Sequence, residues 1–403
     1  MIPEAEALTT LLQAVSATEQ SETLPLTGCL NRRSATRLAA TVPLPGFDNS
    51  MMDGYAVRAA ETAGPLPLRG TATQPAGLDL QCKLAGPGEA IRIFTGAPIP
   101  EGADAVIMQE DVGNEGDSIL CQSPVAPGEN IRRRGSDLCA GQILLQPGDR
   151  ISPGMIGLLA SQGVASLPVY RLPRIAILST GDESAAPGSG PLQPGQIYNS
   201  NGPMLAALVA NLGFGVAEAF HCPDSMPDTR TALARLAEDY DVLVISGGVS
   251  VGERDFIKPA LNELGMPPRL WKIRIKPGKP FLFAQRERPQ PLLIFGLPGN
   301  PVSAFVTFHL FVRPALLKWC GAPEHDLRPQ TQWVTVMQDM INEGDRPHYI
   351  RGRVAEGGFK PVGLQRSDAL NALAQTNALL RLDAGQRIAA GEWTQVLTNL
   401  TIN

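Results

Sequence analysis

Between Asp241 and Lys279 the chain carries residues suited to binding an oxyanion. The run Ser246-Gly247-Gly248-Val249-Ser250-Val251-Gly252-Glu253-Arg254-Asp255 holds three glycines and two serines. A turn of that composition lets backbone N–H groups point inward at a phosphate or a similar anion. Asp255 stands where a helix, Phe256 to Leu264, is expected to begin. Beyond it, Trp271-Lys272-Ile273-Arg274-Ile275-Lys276-Pro277-Gly278-Lys279-Pro280 sets three lysines and an arginine in and beside one rigid turn. An acid, an amide-rich loop and a basic loop in one unit suit a phosphorylated ligand, with or without a metal. The same residues also read as an ordinary glycine turn beside a solvated basic loop.

A second constellation lies earlier. Pro45-Gly46-Phe47-Asp48-Asn49-Ser50-Met51-Met52-Asp53-Gly54 places two acids and an amide close together. They could bind a cation or a ribose hydroxyl, or form a cluster of Asx turns. Thr95 adds a hydroxyl in the turn Phe94-Thr95-Gly96. Arg132-Arg133-Arg134 is a compact triple cation, a type of run that is usually a solvated face.

Several elements must position these groups. Asp241-Val242-Leu243-Val244-Ile245 is apolar and β-branched, as in a buried strand of a parallel sheet. Strands are also expected at 174–178, 215–220 and 292–295, with helices at 203–212, 228–238, 256–264 and 302–318. Ser200 or Asn201 can cap the first of these helices. In open parallel sheets ligands bind outside the carboxyl ends of the strands. The loops leaving those ends are Thr180–Glu183, Cys222–Asp224, Ser246–Asp255 and Gly296–Asn300, the last containing Pro298. Asp182, Glu183, Asp224 and Asp255 therefore fall on one rim.

Outside this region the pattern changes. An N-terminal helix over 4–15 with Leu8, Leu11 and Leu12 on one face precedes a strand at 23–26 and a helix from Leu30 to Ala39. From Pro43 to Leu138, frequent prolines and glycines indicate a β-rich module. It contains an internal echo, since Pro87-Gly88-Glu89 matches Pro127-Gly128-Glu129. A helix over 153–162 and a strand over 167–170 return to the N-terminal character, which makes the β module an insertion. The tail from Pro323 is β-patterned and fits a small barrel. The fold class is thus multidomain α/β plus β. The expected partition is 1–42 with 139–171 as a mixed helical domain, 43–138 as the inserted β domain, 172–322 as the α/β domain and 323–403 as the β-barrel.

Composition limits the function. The 403 residues are 43% hydrophobic and carry a formal net charge of −5. A general nucleic-acid surface needs net basic charge, so nucleic acid is excluded as a partner. The six cysteines have no C-x-x-C pair, which argues against a zinc site or redox dithiol. There is neither a signal peptide nor an apolar run of membrane-spanning length. The expected location is the cytoplasm, with no membrane partner.

Taken together, Phe47–Val57, Ile91–Pro98, Ile131–Gly135, Ser179–Glu183, Ser246–Asp255, Ile275–Pro280 and Gly296–Ser303 resemble the molybdopterin molybdenumtransferase family, the MoeA proteins and the E domain of gephyrin. The resemblance implies an elongated homodimer of four-domain subunits whose central α/β domain is molybdopterin-binding and MogA-like. It implies insertion of molybdate into adenylylated molybdopterin with release of AMP, helped by Mg²⁺. Carried over by position, the catalytic residues would be Asp53, Thr95, Glu183, Asp224, Asp255, Lys272 and Lys276. Glu183, Asp224 and Asp255 would face the metal. Gly247, Gly248, Ser250, Gly252, Lys279, Pro298, Asn300, Pro301, Asp137, Arg132, Arg351 and Ser367 would bind substrate. The Asp53 loop would serve the partner subunit's site, and a molybdopterin adenylyltransferase would be a further partner. Tyr198-Asn199-Ser200-Asn201 departs from the family's frequent Tyr-Asp-Thr-Asn and loses a carboxylate. Two other readings are an adenylyltransferase and a non-catalytic scaffold, as gephyrin's E domain also serves.

Overall fold

A computed structural model describes all residues except 65–66, 78–81, 251, 253–254, 288–289, 399 and 401–403. The chain divides into two compact units. One comprises Met1–Thr36, Pro147–Gly157 and Ala165–Asn403; the other comprises Arg37–Gln146 and Leu158–Val164.

The first unit is built on a six-stranded sheet in the order Glu218–Cys222, Ile175–Thr180, Val242–Ser246, Leu292–Leu297, Leu282–Arg286, Leu270–Trp271. The first four strands are parallel and the last two antiparallel. Every residue of Val242–Ser246 is buried, which explains its unbroken apolar sequence. Its side chains alternate between two cores. Val242 and Val244 pack with helices Glu4–Ala14, Asn201–Asn211 and Pro301–Thr307. Leu243 and Ile245 pack with Met226–Asp239 and Ile257–Glu263. Burying each of these side chains contributes roughly 1.5–3 kcal/mol, so Val244→Asp would break the sheet. The chain moves outward from Ile175–Thr180 on both sides, and that reversal of strand order opens a crevice at the carboxyl ends.

The helix expected over 302–318 contains a π-helical turn, Phe308–Val312, between α-helices Pro301–Thr307 and Arg313–Trp319. Pro314 lacks an N–H and its ring crowds the carbonyl four residues back, so a regular α-helix cannot continue through this point. The C-terminal strands form a closed barrel in the order Thr331–Val336, Gly358–Pro361, His348–Ala355, Ala378–Leu382, Trp393–Leu397.

No helix spans Leu30 to Ala39. Those residues are spent on distant pairing: Arg33 bridges Arg150, Ser34 bridges Val169, and Leu38–Ala39 pairs with Ile143–Leu145. Asn31 takes a left-handed conformation, φ 63°, and Ser34 Oγ accepts from Thr36 N in a local turn, which competes with a helix.

The second unit holds a six-stranded sheet, Ala105–Met108, Gly54–Val57, Glu89–Ile93, Leu68–Gln74, Ser118–Cys121, Val112–Glu115. The sequence echo is a repeated turn. Gly88 and Gly128 both have positive φ, and Glu89 and Glu129 each accept the N–H three residues back. The strands that follow join different sheets. No helix among the described residues is long and apolar enough to cross a membrane.

Candidate active site

The glycine loop leaves the sheet at its crevice. Gly247 and Gly248 have φ of 96° and 65°, and a Cβ on Gly247 would stand 2.7 Å from the Thr180 hydroxyl. A Cβ on Gly248 would stand 2.9 Å from the Ile257 side chain. Only glycine fits this close approach. Gly247 N–H donates to Leu297 O at 3.2 Å, which ties two strand ends together. Gly252 N–H donates to the Asp255 carboxylate, and Asp255 N–H returns a bond to Gly252 O. Among the described residues, the N–H groups of Gly248, Val249 and Ser250 have no acceptor. Val251, Glu253 and Arg254 lie outside the described residues.

The rim acids lie where the strand order requires. Asp182 Oδ1 accepts from Asp224 N at 3.0 Å, joining adjacent strand ends. The Glu183 carboxylate lies over Gly181, where a Cβ would stand 2.7 Å from one of its oxygens. Ser225 caps the next helix by accepting from Asp228 N.

The fourth loop continues into the barrel. Pro301 opens a helix, the position where its missing N–H is harmless. Asn300 Nδ2 donates to Ser367 Oγ at 3.0 Å, and Val302 N donates to Ser367 O. Lys276 N donates to Pro347 O and Lys276 O accepts from Tyr349 N, so the basic turn is pinned to a barrel strand. Gly278 has φ 115° and faces Thr307, whose Cγ2 would stand 2.6 Å from an added Cβ. The Lys276 and Lys279 side chains are exposed. Lys272 is left-handed, φ 64°, with Nζ 4.0 Å from the centre of the Trp271 ring.

Arg351 is only 2% exposed. Its guanidinium donates to Arg366 O and Leu364 O, which frame the Ser367 loop. Burial pulls its pKa down, and Asp368 opposes that shift. In this conformation Arg351 braces the loop beside Ser367.

In the second unit Asp53 Oδ1 accepts both Thr95 N at 2.7 Å and Thr95 Oγ1 at 2.8 Å. These bonds, backbone first, hold the Asp53 carboxyl below the ordinary carboxylate range, and the Arg92 charge adds to them. Asp48 is committed to Arg133 Nη1 and Arg134 N, each at 2.7 Å, so the two acids of this loop have separate tasks. Arg132 is exposed and pairs by backbone with Asn49. Asp137 is exposed and donates its N–H to Leu44 O.

Sequence reasoning passed over the structural roles of Asn201 and Asn199, naming the first only as a possible helix cap and the second only as a lost carboxylate. The Asn201 side chain bridges Ser246 Oγ at 2.8 Å and Gly299 O at 2.6 Å. Asn199 Oδ1 caps the helix by accepting from Gly202 N at 2.9 Å. Neither Ser200 nor Asn201 does so. The departure at Asn199 therefore removes a charge and keeps an acceptor. Trp271 was also passed over. It carries Lys258 and Lys272 over its ring and donates from Nε1 to Val249 O; an aromatic among lysines was its only signal.

The regions matched by family models follow the chain in order: MoeA N-terminal region (domain I and II) over 2–163, probable molybdopterin binding domain over 176–318, and MoeA C-terminal region (domain IV) over 334–398. The molybdopterin molybdenumtransferase of Haemophilus influenzae is 36% identical, over 96% of each chain. This chain belongs to the molybdopterin molybdenumtransferase family. Molybdopterin molybdenumtransferase 2 of Mycobacterium tuberculosis is also 36% identical, over 93% of this chain and 94% of the relative. A crystal structure of the molybdopterin biosynthesis MoeA protein from Pyrococcus horikoshii matches with a TM-score of 0.84 at 28% identity, covering 99% of this chain and 100% of that one. The family frame accounts for the central α/β sheet and the C-terminal barrel. Among the described residues no three His, Cys, Asp or Glu side chains converge to hold a metal ion, so the acids expected to face a metal form no ready-made cage.

Proposed function

We propose that this protein inserts molybdate into adenylylated molybdopterin, cleaving the pyrophosphate link to release AMP and form the molybdenum cofactor. The near-full-length likeness to a molybdopterin molybdenumtransferase, 36% identity over 96% of each chain, carries this reading. The geometry supports it. Molybdate and the pyrophosphate link are anionic, and anions are held by lysines and loop amides. The amides of Gly248, Val249 and Ser250, which have no acceptor among the described residues, and the exposed Lys276 and Lys279 supply both.

In this reading Lys272 and Lys276 meet substrate charge, and Lys279, Gly247, Gly252, Pro298, Asn300, Pro301 and Ser367 shape its seat. Asp255, Asp224 and Glu183 are the acids on the rim. Mg²⁺ usually takes one or two carboxylates and completes its shell with substrate phosphates. A divalent cation arriving with the nucleotide is therefore the form in which Mg²⁺ belongs here. Asp53 and Thr95, with Arg132 and Asp137, complete the site from the partner subunit of a homodimer. Arg351 serves through the Ser367 loop. The same reading carries the four-domain division at 1–42 with 139–171, 43–138, 172–322 and 323–403, a cytoplasmic location, and transfer of substrate from a molybdopterin adenylyltransferase.

The test is molybdate-dependent cofactor formation by purified protein given adenylylated molybdopterin. Stoichiometric AMP and cofactor are expected. If the protein instead releases pyrophosphate from ATP and molybdopterin, it is an adenylyltransferase; release of neither product would mark a scaffold.

A further inference from the structure

Two carbonyls of the glycine loop are held from behind. Gly248 O accepts from Ile257 N at 3.3 Å, and Val249 O accepts from Trp271 Nε1 at 3.2 Å. A peptide unit is planar and trans, so its C=O and N–H point in opposite directions. Drawing these two oxygens toward the protein therefore aims the N–H groups of Val249 and Ser250 away from it. Neither N–H has an acceptor among the described residues. Ser250 is exposed, which leaves the outward side of the loop open.

Trp271 reaches the loop because of the sheet register. It lies on the outermost strand opposite Leu282, which pairs with Gly296, which pairs with Ile245. All four therefore stand near the carboxyl end of the parallel strands. Val249 crosses this row with its side chain buried, and a Cβ on Gly296 would stand 2.6 Å from Val249 Cγ1. A side chain at 296 would lift the loop away from Trp271. The indole ring also carries two ammonium groups, Lys258 Nζ at 3.5 Å and Lys272 Nζ at 4.0 Å from its centre, each attracted by the ring's negative face. Lys272 keeps its left-handed backbone, φ 64°, because its N–H donates to Phe281 O and its carbonyl accepts from Ile2 N. One indole thus fixes an amide and two cations beside the same loop.

We propose that Trp271 is a positioning residue of the anion seat. Its Nε1–H holds Val249 O, which keeps the Ser250 N–H turned toward a bound oxyanion, and its ring keeps Lys258 and Lys272 beside that amide. Without the bond, the peptide between Val249 and Ser250 is free to rotate and to set a carbonyl oxygen against the anion. The ligand class follows from the donors, since amide N–H and ammonium groups donate and do not accept. It does not follow from net charge, because Asp255 also stands in this loop, accepting from Gly252 N. The inference rests on the anion-binding reading of the glycine loop given above, and not on which reaction follows binding.

The test uses the full chain labelled with ¹³C-carbonyl valine and ¹⁵N serine. Only the Val15–Ser16, Val249–Ser250 and Val302–Ser303 peptides then give a carbonyl-to-amide NMR signal, and S250A identifies the middle one by its loss. Inorganic pyrophosphate is the probe. In the parent it should move the Ser250 amide proton downfield and leave the Ser16 signal in place. W271F keeps a ring for the lysines and removes the donor. It should reduce the Ser250 shift and weaken pyrophosphate binding by about fivefold, the loss expected for one hydrogen bond, with unchanged salt dependence. K272M should instead flatten the salt dependence, because it removes a charge. W271L, which lacks both ring and donor, should bind at least as weakly as W271F and replaces it if W271F does not fold. A Ser250 signal that pyrophosphate leaves unmoved in the parent overturns the proposal without any variant. So does a W271F protein that binds pyrophosphate as tightly as the parent, or whose Ser250 amide shifts as far. A parent that releases no AMP from adenylylated molybdopterin overturns the reaction proposed above and leaves the Ser250 shift to decide the role of Trp271.

Discussion

Asn300 and Ser367 are joined side chain to side chain, Nδ2 to Oγ at 3.0 Å, across 67 residues of sequence. The bond links a loop at the carboxyl end of the parallel sheet to the segment braced by Arg351 in the barrel region. Candidate substrate contacts from two separate folding patterns are thereby held at one place. A hydrogen bond of this kind contributes about 1 kcal/mol net. Ser367→Ala should therefore weaken substrate binding by about fivefold, with little change in melting temperature. Titration of the nucleotide substrate checks this, and unchanged affinity would leave the bond a purely structural role.

Asp255 accepts Gly252 N–H and closes the glycine loop. Asp255→Asn keeps an acceptor oxygen for that bond and removes the charge. It should leave the thermal transition nearly unmoved and lower insertion on the order of a hundredfold. Asp255→Ala should lose the loop bond as well and be at least as defective. An Asp255→Asn protein that turns over at the parent rate would remove the carboxylate from the chemistry.

His309 sits in the π-helical turn, 2% exposed, with neither ring nitrogen bonded among the described residues. Burial, aided by the Arg313 charge, pulls its pKa from 6.5 to about 3. His348, buried near Lys276 and Arg351, is pulled from 6.5 to about 4. Both folded pKa values lie below the unfolded value, so the unfolded chain binds more protons between them. Stability is full above the unfolded pKa and is lost as pH falls toward the folded ones, by up to about 1.4 kcal/mol per pH unit for each histidine. His309→Leu should remove one of these slopes. Its advantage over the parent should grow by about 1.6 kcal/mol between about pH 6.5 and pH 5. Urea melts at the two pH values measure it; parallel losses in both proteins would show that His309 does not titrate on unfolding.

The proposed sharing of the site between subunits predicts complementation. Asp53→Ala and Asp255→Ala proteins should each be nearly inactive. Mixed and allowed to exchange subunits, half the dimers are heterodimers with one intact site of two, so activity should return to roughly a quarter of the parent's, by the symmetry of an isologous pair. Mass spectrometry must establish that heterodimers formed. If they form and stay inactive, Asp53 and Asp255 serve one site from one chain.

The sequence by itself determined the parallel strands and the rim. Val242–Ser246 had to be buried because its residues are apolar and β-branched, and the loops following such strands must end on one side. Gly247 and Gly248 were legible as a tight turn because only glycine takes that backbone. The seven ordered motifs carried the family, because side chains that contact a ligand are constrained one by one. Tertiary structure alone decided what non-local bonds decide. Leu30 to Ala39 has helix-like periodicity, but Arg33 and Ser34 pair with strands more than a hundred residues away. Asn201 looked like a helix cap and instead joins Ser246 to Gly299; Asn199 caps in its place. Arg351 looked like a ligand contact and is buried against Leu364 and Arg366. A polar side chain's partner is set by which chain segment folding brings within about 3 Å of it, and no local pattern encodes that.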